Sequence, residues 1–231
     1  MQASKDSAYE MLSITKNINY IGKIDNQGNL VMKPTILIKE GLLVAVYGIG
    51  YIKDTILISM LTQGMYTIEP IPEDLRRKYS VFKILLFHQN RFKGDVKGAP
   101  NSIKYHMLPD GFDLVIWGHE HDCFTSLIKS TNPECNIYQP GSSVITSFTD
   151  GEALAKHCGV VHVRADGSFL MEYCKLQTAR FLLVRELEYS VFWEVDHDHS
   201  HQTMTETYVQ GLLKNYIEKM IAEADQGSIR A

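Results

Sequence analysis

The chain has 231 residues, which is enough for one large domain or for one medium domain with part of another. Its 45% hydrophobic and 22% charged residues are typical of a globular protein and exclude a disordered or fibrous chain. The formal net charge of -4 comes entirely from residues 177–231, which hold 5 basic and 9 acidic side chains. Residues 1–176 hold 18 of each and are neutral.

Two sequence signals concern the location of the protein. No stretch reaches the ~18 apolar residues of a membrane span, and the segment MQASKDSAYEML lacks the basic start and apolar run of a secretory signal. We therefore expect an intracellular protein without a membrane partner. In such a protein, scattered cysteines without CxxC spacing favour reduced structural thiols over a disulfide or zinc framework. The cysteines are Cys123, Cys135, Cys158 and Cys174.

A basic stretch extends from Arg76 to Lys104, where eight Lys or Arg side chains stand against a single acidic residue, Asp95. The stretch is either a solvated loop or a phosphate-facing rim of a nucleic-acid site. On its own, the charge pattern favours the solvated loop.

The first predicted elements are a helix, two strands and a second helix. A short amphipathic helix is predicted at Ser7–Lys16. The runs KPTILIKEG and LLVAVYGIG are β-rich, and a tight turn at Glu40 and Gly41 separates them. A helix follows at Asp54–Gln63, with Asp54 as its expected N-cap.

Two buried strands are predicted next, at Val81–Phe87 and Asp113–Trp117. The first ends in HQNR and the second in GHEHD, so each delivers histidines at its carboxyl end. Ligands of open α/β sheets usually bind at this end of the strands. Further on, Gly141 after Pro140 requires a turn.

The last part of the chain begins with a hairpin. GVVHVRADGSFLMEY predicts two strands joined by a type I′ turn at Asp166 and Gly167. After it we expect, in order, a strand at Arg180–Tyr189, a polar loop at Glu194–His201 and a helix at Met204–Ala224. The histidines of DHDHSH in the polar loop could bind a metal, but a solvated loop is favoured. The apolar positions of the last helix favour a core face over a partner groove; they are Tyr208, Leu212, Tyr216 and Met220.

His88, His119 and His121 are the candidate metal ligands. The i, i+2 spacing of HEH beside a strand end places both imidazoles on one side and turns Glu120 away. Gly118 before them allows a sharp backbone turn. The alternative is a set of ordinary surface histidines that are satisfied by hydrogen bonds.

Three longer blocks occur in a fixed order along the chain: FHQNR at Phe87–Arg91, DLVIWGHEHDC at Asp113–Cys123 and QPGSSV at Gln139–Val144. In this order they closely resemble the metallophosphoesterase core of the eukaryotic meiotic recombination eleven family, the double-strand-break repair nucleases. KPTILIKEG, VAVYGIG, DGEALAKHCG and QTARFLL extend the resemblance over nearly the whole chain.

The resemblance implies an α/β fold, namely part of a calcineurin-like αββα sandwich in residues 1–176, followed in residues 177–231 by the beginning of a DNA-binding cap domain. It implies two manganese ions that serve a 3′–5′ exonuclease and a single-strand endonuclease. His88 and His119 would bind one ion and His121 the other. Asn90 would shape the loop, and Arg91 and Lys93 would contact DNA together with it.

The resemblance also implies partners and a location. The partners would be DNA ends, an SMC-like coiled-coil ATPase, the nibrin subunit and a second copy of the complete protein. The location would be the nucleus, and the process DNA repair, including meiotic repair.

The sequence departs from the family in one respect, because the motifs DxH, GDxF and GNHD are absent. AYEMLSITKNINYIG resembles the helix that follows GNHD, so we expect the chain to begin just downstream of these motifs and to lack most of the cap. Manganese favours carboxylate oxygens, so three imidazoles alone would hold at most one zinc ion weakly. We therefore expect no retained catalytic residue, no nuclease activity of the isolated chain, and exposed apolar faces on strands such as VFKILLF.

Two alternatives to an incomplete nuclease stay open at this point. One is a short product without catalysis, a binding module or pseudoenzyme that retains the partner surfaces of the repair complex. The other is a general metallophosphoesterase acting on a small phosphate ester, which the breadth of the resemblance disfavours.

Overall fold

The structure is a computed structural model that describes residues 8–22, 30–94, 101–186 and 206–229. Its strands are β1 (Leu30–Met32), β2 (Thr35–Lys39), β3 (Leu42–Ile49), β4 (Tyr66–Ile68), β5 (Ser80–His88), β6 (Leu114–Gly118), β7 (Ile128–Thr131), β8 (Glu134–Tyr138), β9 (His157–Val163) and β10 (Phe169–Lys175). Its α-helices are α1 (Ala8–Ile14), α2 (Asp54–Thr62), α3 (Glu73–Lys78) and α4 (Glu206–Ile229), and short 3-10 turns lie at Tyr105–Met107 and Asp150–Ala153.

A six-stranded mixed sheet carries the site. The strand order is β2-β3-β5-β6-β8-β7, in which β3, β5, β6 and β8 are parallel and the edge strands β2 and β7 are antiparallel to their neighbours. The predicted tight turn between β2 and β3 is confirmed. Glu40 and Gly41 have φ values of 50° and 83°, as a two-residue hairpin turn requires.

Alternating side chains of the central strands divide the core into two layers. One face of the sheet, with Leu43, Leu85 and Trp117, packs against α2 and the segments around β1 and β4. The other face, with Phe82 and Leu114, packs against the β9–β10 hairpin. This order of helix layer, sheet and hairpin is a mixed α/β fold consistent with part of a calcineurin-like αββα sandwich, as the sequence predicted.

The hairpin is confirmed, but the predicted type I′ turn is wrong. Only Gly167 has a positive φ, at 83°, whereas a type I′ turn needs positive φ at both central residues. Gly167 N donates to Arg164 O, and Arg164 N donates to Ser168 O, each at 2.9 Å, so the loop has three residues. The side chain of Asp166 accepts a hydrogen bond from Ser168 N at 2.9 Å and thereby favours this local turn.

Two element assignments need correction. Lys53, not Asp54, precedes the first turn of α2, and no side chain caps this helix. The segment Arg180–Glu186 forms no strand, and the rest of the predicted strand lies outside the described residues, as does the polar loop Glu194–His201.

The last helix is confirmed, although its apolar positions Leu212, Tyr216 and Met220 are only half-buried and belong to neither core layer.

The expected exposure of VFKILLF is also wrong. Every residue of Val81–Phe87 is buried or half-buried. Exposed apolar side chains lie instead on the edge strand β2, at Leu37 and Ile38, and on the hairpin, at Val160 and Leu170. In the described part of the chain, no helix has the length and apolarity to span a membrane.

Candidate functional site

Two parallel strands bring His88 and His119 together. His88 is the last residue of β5 and pairs with Gly118, the last residue of β6, so His119 follows directly beside it. The two ring centroids are 5.3 Å apart and the rings are inclined at 72°. A Cβ atom on Gly118 would lie 2.7 Å from His88 Nδ1, so this ring needs a glycine beneath it. The predicted delivery of histidines to one edge of the sheet is thus confirmed for this pair.

The environment of His88 favours its neutral form. Burial lowers the pKa of His88, and the neighbouring His119 and His121 lower it further. A neutral imidazole keeps the lone pair with which histidine binds a metal ion.

His119 begins a strained loop and is held by the HQNR segment. Its φ of 76° lies in the left-handed region, which histidine adopts uncommonly. His119 Nε2 lies 2.9 Å from Asn90 Oδ1. Asn90 Nδ2 donates in turn to Asp54 Oδ2 at 2.5 Å. Asn90 therefore connects the histidine to the first turn of α2.

The carboxylate of Glu120 faces the basic residues that follow Asn90. Glu120 Oε1 accepts a hydrogen bond from the backbone N–H of Arg91 at 2.7 Å, and Oε2 lies 2.6 Å from Lys93 Nζ. Lys93 Nζ also lies 2.7 Å from Asp122 Oδ2. Burial lowers the pKa of Lys93, but the hydrogen bonds to Asp122 and Glu120 outweigh burial and raise it above its ordinary value.

The guanidinium of Arg91 is engaged within the chain as well. Nε donates to Gln139 Oε1 at 2.6 Å and Nη1 donates to the Tyr105 hydroxyl at 2.9 Å, while Cζ lies 5.4 Å from the ring centroid of Phe124. These contacts tie Arg91 to the loop that carries the histidines. Contact of Asn90, Arg91 and Lys93 with DNA stays a prediction.

The basic stretch does not form one rim around His88. Its first members, Arg76 to Lys78, form the last turn of α3 just before the start of β5. Eight strand residues separate this end of β5 from His88, which corresponds to roughly 26 Å. Arg77 there pairs with Glu73 at 3.2 Å. These cations lie on a solvated helix end, next to the amino ends of the strands and away from the histidines at the carboxyl ends.

His121 is held by a buried carboxylate. Its Nδ1 lies 2.8 Å from Glu152 Oε1 and 2.8 Å from the Thr146 hydroxyl. Glu152 is 1% exposed and also accepts hydrogen bonds from Ser142 Oγ at 2.7 Å, Thr146 N at 3.0 Å and Lys156 Nζ at 2.5 Å. Burial raises the pKa of Glu152, but the hydrogen bonds from Lys156, Thr146 and Ser142 outweigh it and hold the pKa well below its ordinary value.

Sequence reasoning missed three residues of this arrangement. Glu152 and Lys156 lie four residues apart, a spacing that predicts an ordinary ion pair on a helix surface, yet both are buried. Asp54 was expected only as a helix cap. The one signal for the first two was their position in DGEALAKHCG, a block of the family resemblance.

The described residues fit only part of a two-manganese site. Neutral imidazoles suit divalent transition metals, whereas manganese favours carboxylate and water oxygens. Among residues 8–22, 30–94, 101–186 and 206–229, no three His, Cys, Asp or Glu side chains are arranged to hold a metal ion. The oxygens of Glu152 are taken by its four partners. Metal binding by His88, His119 and His121 therefore stays a prediction that needs further ligands.

A mixed α/β sheet with histidines at the carboxyl ends of two parallel strands is consistent with the class of calcineurin-like metallophosphoesterases. No family model matches the chain. The chain is, however, 32% identical over 219 residues to double-strand break repair protein MRE11 of Oryza sativa subsp. indica, a match that covers 92% of this chain and 30% of the relative.

Two further relatives carry the same description. The Arabidopsis thaliana protein is 31% identical over 228 residues, covering 94% of this chain and 30% of the relative. The Homo sapiens protein is 36% identical over 157 residues, covering 68% and 21%. The chain belongs to the MRE11 family of double-strand break repair proteins. It spans less than a third of the length of these relatives.

Proposed function

We propose that this chain is part of a metal-dependent DNA phosphodiesterase that acts in double-strand break repair. The observation that carries the proposal is the cluster of His88 and His119 on adjacent strand ends, with His121 two residues further, in a chain related to double-strand break repair proteins. In its complete form the protein would be a manganese-dependent 3′–5′ exonuclease and single-strand endonuclease in the nucleus.

The chain's own part in this activity is to present imidazole nitrogens. Two bound manganese ions would activate a water molecule and neutralise the charge that develops on the leaving oxygen. His88, His119 and His121 would supply imidazole nitrogens to these ions, and burial favours the neutral form of His88. Carboxylate ligands would have to come from other residues.

The proposal extends to organisation and partners. Residues 1–176 would form the C-terminal portion of the phosphoesterase domain, and residues 177–231 the beginning of a DNA-binding cap. DNA ends, an SMC-like coiled-coil ATPase, nibrin and a second copy would be the partners. The support is the family relationship over most of the chain.

The direct test is DNA cleavage by the protein in the form in which it is purified from its own cells, called the native protein below. We expect cleavage in manganese buffer and a loss of at least about 100-fold in the His121→Ala variant, since removal of a metal ligand costs at least as much as removal of its supporting partner. The matched control is His162→Ala, because His162 lies on the exposed face of the hairpin with Glu172 as its partner. Equal activity of both variants would refute the assignment.

A non-catalytic binding module is the second candidate function. It is favoured by the absence of a carboxylate-containing metal cluster in the described part of the chain. In this case the native protein would bind DNA ends or the repair complex and cleave no DNA in manganese. Retention of a labelled DNA end without cleavage, measured on the same preparation, separates the two functions.

A further inference from the structure

Hydrogen bonds that link Asp54, Asn90 and His119 in series determine which nitrogen of His119 carries the proton. The carboxylate of Asp54 can only accept, so Asn90 Nδ2, at 2.5 Å from Asp54 Oδ2, must be the donor. This contact fixes the orientation of the Asn90 amide and leaves its Oδ1 facing His119 Nε2 at 2.9 Å. Because Oδ1 is an acceptor, Nε2 of His119 must carry the hydrogen, and the lone pair is on Nδ1.

The contacts of His121 determine the opposite state. Glu152 Oε1 accepts from Thr146 N at 3.0 Å and Oε2 accepts from Lys156 Nζ at 2.5 Å, two groups that can only donate. Oε1 is therefore an acceptor for His121 Nδ1, at 2.8 Å. The hydroxyl of Thr146 also donates to Oε1, at 2.5 Å, and its lone pairs face the same Nδ1. His121 carries its hydrogen on Nδ1, and its lone pair is on Nε2.

We infer that Asp54, acting through Asn90, and Glu152 are positioning residues that hold His119 and His121 in opposite tautomers. His119 then presents Nδ1 and His121 presents Nε2 as the free nitrogen. Partners of this kind orient metal-binding histidines in proteins generally. The inference deepens the proposed function and rests on it for the purpose of the arrangement, whereas the tautomers follow from the hydrogen bonds alone.

The contacts of Asp54 point to a role in orientation. It does not cap α2, since that helix has no side-chain cap. Its second oxygen, Oδ1, is buried without a hydrogen-bond partner among the described residues. A buried oxygen without a partner costs free energy of folding. The negative charge of Asp54 in the first turn favours the helix, but the hydrogen bond of its side chain leads, among the described residues, through Asn90 to His119.

The first experiment reads the tautomers directly. Long-range ¹H–¹⁵N NMR of the ¹⁵N-histidine-labelled 231-residue chain at pH 8 distinguishes a hydrogen on Nδ1 from one on Nε2. His119→Gln and His121→Gln variants identify the two signals. We expect Nε2–H for His119 and Nδ1–H for His121. A shared tautomer, or the reverse pair, would overturn the inference, and this measurement needs no destabilising variant.

The second experiment removes the positioning residue and retains its shape. In Asp54→Asn, residue 54 can offer an oxygen or an amide, so Asn90 is free to turn and His119 should populate both tautomers while His121 stays unchanged. The control is Asp74→Asn in the first turn of α3, which has an exposed side chain. For His121 the double variant Glu152→Met, Lys156→Met removes the acceptor Oε1 without leaving a buried lysine unpaired, and it should release Nδ1.

The metal readout uses Mn²⁺ itself. In the native protein, Asp54→Asn should weaken Mn²⁺ binding by about 10- to 100-fold relative to Asp74→Asn, as is usual for partners of metal-binding histidines.

An unchanged His119 tautomer in Asp54→Asn refutes the inference even if the native protein cleaves DNA. Opposite tautomers in a native protein that does not cleave DNA in manganese uphold the positioning and refute the proposed nuclease.

Discussion

Gly118 sets the place of His88 at the carboxyl edge of the sheet. In Gly118→Ala the new Cβ atom would lie 2.7 Å from His88 Nδ1, so the ring must shift. We expect a weaker response of His88 to Mn²⁺, measured as paramagnetic broadening of its NMR signals. The control is Gly211→Ala, since a Cβ atom there meets nothing within 4 Å. Equal broadening of His88 in the two variants would show that the glycine has no role in placing the ring.

The buried hydroxyl of Tyr138 lowers the stability of the fold, and phenylalanine would remove this effect. Its hydroxyl is buried without a hydrogen-bond partner among the described residues, and burial raises the pKa of Tyr138 to about 12. We expect Tyr138→Phe to increase the free energy of unfolding by about 1 kcal/mol near neutral pH. Urea denaturation measures the change, and Tyr51→Phe, at an exposed tyrosine, is the control.

The same tyrosine predicts a loss of stability at high pH. In the unfolded chain Tyr138 ionises near its ordinary pKa of 10.0, whereas in the folded protein it stays neutral up to about 12. The contribution of the raised pKa is therefore complete below pH 10 and is lost as the pH rises from 10 to 12. Over that range the wild type should lose stability relative to Tyr138→Phe, and a constant difference would contradict this.

The sequence predicted the histidines of the site but not the residues that hold them by hydrogen bonds. Histidines after two apolar runs predict a site because parallel strands end at one edge. Glu152 and Asp54 gave no such signal, because burial of a carboxylate depends on contacts with residues distant in sequence. The sequence predicted Arg91 only as a phosphate contact and gave no sign that its guanidinium binds Gln139 and Tyr105.

At the scale of elements, the buried pair of Glu152 and Lys156 holds the Ser142–Thr146 loop against the histidine segment. Glu152→Gln leaves Lys156 buried without its ionic partner, and we expect a loss of about 3–5 kcal/mol in the free energy of unfolding. The double variant with Lys156→Met should recover much of the loss. Chemical denaturation of both variants measures the difference.

The exposed ion pair on α3 is the control for this prediction. Glu73→Gln removes the partner of Arg77, and exposed pairs of this kind contribute at most about 1 kcal/mol. If Glu152→Gln proves no more destabilising than Glu73→Gln, the buried pair does not hold the loop.

Strand positions followed from the sequence more closely than turns and caps. Runs such as VFKILLF and DLVIW have the apolar continuity of strands covered on both faces, and the sheet has them at β5 and β6. The hairpin turn was mistaken because Asp166 hydrogen-bonds Ser168 instead of adopting positive φ. The N-cap was mistaken because Asp54 is engaged by Asn90.

At the scale of the whole molecule, the isolated 231-residue chain should not cleave DNA. Among its described residues no three His, Cys, Asp or Glu side chains are arranged to hold a metal ion, and manganese favours carboxylate oxygens. We expect no turnover of linear or single-stranded DNA in manganese, measured by gel electrophoresis, with the native protein as positive control. Robust turnover by the isolated chain would show that the described histidines suffice.

The measurement that tests the central claim most directly is pulsed electron paramagnetic resonance of Mn²⁺ bound to the native protein. If His88, His119 and His121 are metal ligands, the spectrum will show couplings to coordinated imidazole nitrogens, and these will disappear when the three histidines are replaced by alanine. His162→Ala, on the exposed hairpin face, should leave the couplings in place. Bound manganese without imidazole coupling, or coupling that persists in the triple variant, would contradict the assignment of the site.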